Sequence, residues 1–255
     1  MRRLGVRFDL KPSHTIKPNN DYDVAIFYGL AQGLRAIFDR QKKCGKAIYI
    51  DLGYWGRRNR TRYDGFHKVV LNDRHPTAYF QNRIHDGARF DRHNVEIRPW
   101  RESGKNILLA GMSNKAAAQE GFAPNQWERE TIKQIRRFTD RPIVYRPKPN
   151  WLAARPLQGT SWGKDQTLEN ALSNCHVVVA HHSNVAVDAL LYGVPCICPS
   201  GVASVLSAHN LKDIENPPMP DGREQWAADL AWTQWSIQEM VDGLAYRYLA
   251  DEGLV

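Results

Sequence analysis

The sequence predicts an α/β fold. Three observations predict it: apolar runs that end in glycine or proline, amphipathic segments between them, and a strand–helix–strand order that recurs along the 255 residues. The first twenty residues carry little periodicity, and Pro12 and Pro18 mark them as loop. "DVAIFYGL" (23–30) reads as a buried strand closed by glycine. "AQGLRAIFDRQKK" (31–43) follows as a helix, with Leu34, Ile37 and Phe38 on one face. "KAIYIDLG" (46–53) is a second strand closed by glycine. From Tyr54 to Arg101 arginines and aromatics interleave, with a short strand signal at "KVVL" (68–71). "RPWRESGKN" (98–106) reads as a linker.

A second series then begins. "NILLAGMS" (106–113) is a strand running into a loop of small residues. "APNQWERETIKQIRRFTD" (123–140) is a helix with Trp127, Ile132 and Ile135 as its core face. "PIVYRPKP" (142–149) is a strand stopped by prolines, and "TLENALSNC" (167–175) a short helix. "HVVVAHHSNVAVDALLYGVPCICPSG" (176–201) supplies strand, helix, strand. The tail, 224–250, reads as one or two amphipathic helices rich in tryptophan.

Composition narrows the function classes. Apolar residues make up 42% and charged residues 24%, ordinary for a globular chain. No apolar run reaches the roughly 18–20 residues a membrane span requires. "MRRLGVRFDL" has no apolar core of a leader peptide. Cys44, Cys175, Cys196 and Cys198 lack metal-ligand spacing, and three sit in or beside apolar runs. Reduced thiols and a cytoplasmic location are therefore expected. The net charge of +8 and a pI near 9.4 favour anionic partners.

Ligands of open parallel sheets bind beyond the carboxyl ends of the strands. Four loops there carry chemistry: Gly111, Met112 and Ser113; Arg146, Pro147 and Lys148; His181, His182, Ser183 and Asn184; Pro199, Ser200 and Gly201. Together they offer two cations, two imidazoles, hydroxyls and the amides of a helix start, a set suited to phosphate. Taken singly, the cations read equally as exposed loop charges and Ser183 and Asn184 as plain caps. Neighbouring residues of an extended chain point to opposite sides, so His181 and His182 are not expected to hold one metal ion.

The strand end "YRPKP" (145–149) and the run 176–198 resemble the nucleotide-sugar half of GT-B glycosyltransferases. The resemblance covers 106–201 and is nearest to the capsule and Kdo-transferase branch and to phage-encoded glycosyltransferases. Those proteins carry Y-[KR]-P-x-P at a strand end and S-x-x-x-x-[DE]-A-L-x-x-G-x-P on a helix, met here by Tyr145 to Pro149 and by Ser183, Asp188, Gly193 and Pro195. The resemblance implies two Rossmann-like α/β halves with a cleft between them and a reduced N-terminal half. The domains expected are 1–100, on the acceptor side, and 101–255, on the donor side, whose C-terminal helices pack back on the first half. It also implies that Arg146 and Lys148 approach a diphosphate, and that His182, Ser183 and Asn184 close over it. Gly111 and Ser113 would lie near nucleoside or phosphates, and Asp188 would accept from ribose hydroxyls.

The reaction so implied is transfer of a sugar from a nucleotide sugar, taken as a uridine diphosphate sugar, to an acceptor hydroxyl. Cations and helix amides would hold the leaving group without metal or bound cofactor. Asp21, Tyr22 and Asp23 form a D-x-D, but it precedes a strand, where a metal-binding pair would follow one. Asp51 is the candidate general base; it reads equally as a turn cap before Gly53, with His14, Asp64 and His67 as alternatives. After it, Tyr54, Trp55, Arg57, Arg58, Arg60 and Arg62 combine stacking rings with guanidinium groups. Added to the resemblance to phage-encoded glycosyltransferases, they make double-stranded DNA carrying a 5-hydroxymethylated pyrimidine the expected acceptor, the base being flipped out for transfer. The same loop also suits a capsule or lipopolysaccharide glycan. A non-catalytic nucleotide- or nucleic-acid-binding module and a sugar-nucleotide epimerase are the readings from other classes.

Overall fold

The computed structural model describes residues 9–12, 15–16, 22–30, 33–57, 65–76, 83–149 and 151–254. In chain order the strands are β1 (Val24–Tyr28), β2 (Lys46–Arg57), β3 (Gly65–Leu71), β4 (Asn106–Ala110), β5 (Ile143–Arg146), β6 (Ser161–Trp162), β7 (Cys175–Ala180), β8 (Cys196–Ile197) and β9 (Gln234–Ser236). The helices are α1 (Leu34–Cys44), α2 (Ala88–Asp91), α3 (Asn114–Gln119), α4 (Gln126–Ile135), α5 (Leu168–Ser173), α6 (Asn184–Leu191), α7 (Arg223–Ala231), α8 (Ile237–Val241) and α9 (Leu244–Asp251). No described helix is long and apolar enough to cross a membrane. The chain divides into two compact units, Met1–Asn94 with Gln225–Val255, and Val95–Glu224. The boundary anticipated near residue 100 thus stands at 94, and residues 225–255 belong to the first unit.

The second unit is a five-stranded, all-parallel sheet in the order β6-β5-β4-β7-β8. Counted within the unit this is 3-2-1-4-5, the order of a Rossmann half. The chain leaves β4 toward one edge and returns at β7 toward the other. The switch point therefore lies between the carboxyl ends of β4 and β7. Ile107 and Leu109 alternate inward with Tyr145, Val177 and Val179 and meet Ile132 and Ile135 of α4. Each such side chain, fully buried, contributes roughly 1.5–3 kcal/mol. On α6, Ala186, Val187, Ala189 and Leu190 are buried, and Ser183 caps the helix by accepting Val185 N–H at 3.3 Å.

The first unit is a mixed sheet in the order β1-β2-β3-β9. β1 and β2 are parallel, as strand–helix–strand order requires, and α1 buries Phe38 against Phe27 and Tyr49. β2 then overruns the strand predicted for it by several residues, because it turns back as a hairpin onto β3. The tail is not purely helical either: β9 pairs antiparallel with β3, setting Trp235 opposite His67. A three-residue strand between helices leaves no period to read in a sequence.

Arg89 of α2 staples this unit. Its guanidinium is buried, donates to Ala231 O at 2.9 Å and to Gln234 O at 2.5 Å, and pairs with Glu239 at 2.9 Å. It also lies 4.0 Å from the Trp235 ring centroid. Burial alone would raise the Glu239 carboxyl; the hydrogen bonds from Arg89 and Ser236 outweigh it and hold the group below its ordinary value of 4.5. A carboxyl depressed on folding contributes stability above its unfolded value, and that stability is lost as pH falls through the folded one. Chemical denaturation at a series of pH values is therefore expected to show stability dropping below about pH 4.5, with Glu239→Gln flattening the slope.

Candidate functional site

Because β5, β4, β7 and β8 are parallel neighbours, the four predicted loops leave one edge of one sheet. Strand spacing puts the ends of β5 and β7, with β4 between them, roughly 10 Å apart. Backbone bonds tie adjacent loops together. Gly111 N–H donates to Arg146 O at 2.9 Å, and Ser200 N–H donates to His181 O at 3.2 Å. Gly201 packs on His182, a Cβ built there lying 3.5 Å from the His182 Cβ.

Gly111 is glycine for a visible reason: a Cβ there would lie 2.7 Å from Cε2 of Tyr145. The Tyr145 ring, fully buried, thus props the loop after β4, and its hydroxyl donates to Asn125 Oδ1 at 3.2 Å. Ser113 is the N-cap of α3, its hydroxyl accepting Ala116 N–H at 3.3 Å. Met112 N–H is held by the Glu128 carboxylate at 2.7 Å. The amides of Gly111 and Met112 are therefore already bonded, and among the described residues no acceptor is shown for the Ser113 amide.

Arg146 is 9% exposed. Nη1 donates to Gly163 O at 2.9 Å and Gln166 O at 2.5 Å, bracing the chain beyond β6. Among the described residues no carboxylate pairs with it, and Nε and Nη2 make no protein hydrogen bond. Burial lowers its pKa from 12.5, without removing its charge near neutral pH. Lys148, two residues on, is exposed, and among the described residues it too has no acidic partner.

His181 and His182 meet. Their Nδ1 atoms are 2.8 Å apart and their rings are perpendicular. The expectation that the two point apart is corrected: β7 ends at Ala180, so the residues are not on extended chain. One Nδ1 donates and the other accepts, so the pair shares one proton. His181 is fixed by edge contacts with Phe122 and Trp127. Among the described residues no three His, Cys, Asp or Glu side chains gather as a metal site. Asn184 opens α6 and Asp188 stands half-buried one turn further on.

In the first unit Asp51 is not at the end of its strand. It sits within β2, just past the last residue that pairs with β1, opposite Lys68 of β3. Tyr49 donates its hydroxyl to Asp51 Oδ2 at 2.5 Å, and Leu52 N–H donates to Oδ1 at 2.8 Å. Burial, and then the Asp51 charge, push the Tyr49 phenol well up. Lys68 Nζ lies 5.3 Å from the Tyr49 ring centroid and 5.4 Å from that of Tyr54.

Two acceptor-side expectations are corrected. Tyr54 is fully buried and Trp55 is 5% exposed, so neither ring offers a face to a base. The register slips between Leu52 and Arg57, and both rings end inside the unit. Trp55 Nε1–H donates to His93 Nδ1 at 2.6 Å, and its ring meets Phe90 edge-on. Burial, then Arg89, lowers the His93 imidazole to about 4, which suits its role as acceptor. His67 is also sealed, at 1% exposure, and burial lowers it; no acceptor reaches it there. Arg58, Arg60, Arg62, His14, Asp21 and Asp64 lie outside the described residues, as does the Arg57 side chain.

Tyr49, Lys68 and Glu128 were not singled out from sequence, and Tyr145 only as the first residue of a motif. Glu128 had a signal: it lies four residues before Ile132 and seven before Ile135, on the apolar face of α4.

No family model matches the sequence, and no curated protein matches it either. Solved structures do. The chain is similar to the beta Kdo 2,4 transferase of Thermosulfurimonas dismutans KpsC, with a TM-score of 0.54 and 11% identity, over 86% of each chain. It is similar as well to the beta Kdo 2,7 transferase of the same KpsC, with a TM-score of 0.55 and 16% identity, over 88% of this chain and 84% of that one. At these identities the likeness is one of fold: the chain has the α/β, Rossmann-like architecture of GT-B glycosyltransferases.

Proposed function

We propose that this protein is a glycosyltransferase that moves a sugar from a nucleotide sugar to a hydroxyl of a glycan acceptor. The observation that carries the reading is Arg146. A guanidinium buried at a strand end, held by two carbonyls and matched by no acid among the described residues, calls for an anion. It stands on the same edge as Lys148, the His181–His182 pair and the start of α6, at the switch point where parallel sheets bind ligands. A nucleotide diphosphate, here expected to be uridine diphosphate, suits that edge. His182, Ser183 and Asn184 would contact it, and Asp188 would take a ribose hydroxyl.

Asp51 is the proposed base. Held by Tyr49 and Leu52, its carboxylate retains lone pairs for an acceptor proton. The glycan acceptor is favoured over DNA because Tyr54 and Trp55, the two rings that would have stacked on a base, are buried. The similar Kdo transferases act in the same direction. The C-terminal-edge cations would stabilise the departing phosphate without a Lewis acid.

The test is transfer itself. The protein is incubated with a panel of nucleotide sugars, with an oligosaccharide acceptor and with hydroxymethylated duplex DNA, and products are read by mass spectrometry. Glycan product is expected. Modified nucleoside with no glycan product would replace the acceptor, and nucleotide binding without any transfer would reduce the protein to a binding module. Lys148→Ala is expected to weaken nucleotide binding about tenfold, the worth of one charge-assisted hydrogen bond; calorimetry showing unchanged affinity would remove Lys148 from the site.

A further inference from the structure

We infer that Glu128 is the positioning residue of the loop after β4, and that a diphosphate bound at that loop draws a proton onto its second oxygen. The inference rests on the donor-site reading above and deepens it.

Glu128 is 1% exposed. Oε1 accepts Met112 N–H at 2.7 Å, while Oε2 is buried and among the described residues has no hydrogen-bond partner. Carboxylates in such places ordinarily collect two or three donors. Here one backbone amide is held and one oxygen is left over. Holding Met112 N–H turns that peptide inward, which fixes the path of the next residues, Ser113 and Asn114. Their amides are the ones open to a ligand. Tyr145 fixes the same loop from the other side, through its contact with Gly111.

The groups facing Glu128 do not neutralise it. Tyr145 of β5 is a neutral phenol, its pKa raised by burial and then by Glu128. Among the described residues Arg129, on the same helix, is the cation whose charge acts on it. Burial, opposed by the Met112 amide, raises the carboxyl above its ordinary 4.5. An anion one peptide away raises it further, since two like charges in a poorly solvated site disfavour each other. Binding is then linked to proton uptake, and affinity falls as pH rises, by up to about tenfold per pH unit within the window. The proton comes from buffer and adds to Oε2; no other bond changes.

The experiment is calorimetric titration of the intact protein with uridine diphosphate and, separately, inorganic pyrophosphate. Each is run in buffers of different ionisation heat across pH 5–8. The wild type is expected to take up a fraction of a proton per ligand. Glu128→Gln, which keeps the acceptor oxygen for Met112, is expected to bind with less uptake than the wild type and a shallower pH profile, the remainder belonging to the titrating ligand phosphate. Glu128→Asp is expected to restore uptake. Should Glu128→Gln fail to fold, the wild type alone decides: its infrared difference spectrum must gain a protonated-carboxyl band on ligand addition. Uptake unchanged in Glu128→Gln, or binding without uptake in the wild type, overturns this inference and leaves the donor site standing. Binding of neither anion overturns both.

Discussion

Replacing Gly193 with alanine is expected to cost about 2–5 kcal/mol of stability, from a left-handed penalty of roughly 1–2 and a steric one of about 1–3. Gly193 has φ +76°, and a Cβ built on it would lie 1.9 Å from Pro99 O. That obstacle is backbone and has no rotamer to adopt. The same turn is tied at three points: Arg98 N–H donates to Leu191 O at 2.8 Å, Arg101 N–H to Gly193 O at 2.7 Å, and Val194 N–H to Ala189 O at 2.9 Å. Nearby, Arg223 donates to Arg98 O and Leu190 O, each at 2.8 Å, and its guanidinium lies 3.9 Å from the Trp100 ring centroid. The entry segment of the second unit is thus bound to the end of α6, the helix whose start belongs to the proposed donor edge. Urea denaturation should show a lower midpoint with an unchanged slope. An unaltered midpoint would mean that the 98–101 segment moves aside freely, contrary to this packing.

Asp51→Asn is expected to lower transfer by about 10²–10⁴-fold, the usual worth of a positioned general base. The amide keeps the shape and still accepts from Tyr49 or Leu52, but it takes no proton. Nucleotide affinity should be unchanged, because Asp51 is not among the proposed donor contacts, Arg146, Lys148, His182, Ser183, Asn184 and Asp188. Tyr49→Phe separates base from scaffold. It removes the hydroxyl that donates to Oδ2 but leaves the carboxylate, so transfer should fall by less than in Asp51→Asn. Full activity in Asp51→Asn would place the base elsewhere.

The second unit was the more legible in sequence. Apart from the edge strand β6 (Ser161–Trp162), which the sequence reading missed, its strands are buried, so each is a mainly apolar run, and each stops at a residue that does not continue it. Gly111, Pro147 and the polar run from His181 mark the edge directly. Parallel order then follows from alternation with helices, and the convergence of the loops from parallel order. Side-chain partners were less visible. Arg146 reads as a phosphate ligand in sequence, but whether its nitrogens are taken up by Gly163 and Gln166 depends on residues about twenty positions away. The first unit was read less well because it is an antiparallel hairpin joined to a distant tail strand. Tyr54 and Trp55 follow Asp51 and precede arginines, a pattern shared by an exposed platform and a hairpin stem. Gln234, nearly two hundred residues on, closes over their amides and decides between them. Glu128 shows the converse: an acidic residue on an apolar helix face marks a buried contact that can be read from spacing alone.

The central claim is that the carboxyl edge of the second sheet holds the nucleotide of a sugar donor. Amide hydrogen exchange with and without a saturating nucleotide sugar tests it most directly. Protection is expected in three separated segments, 113–116, 146–149 and 181–186, because only a ligand at that edge touches all three. Binding that protects none of them, or that protects segments of the first unit alone, would contradict it.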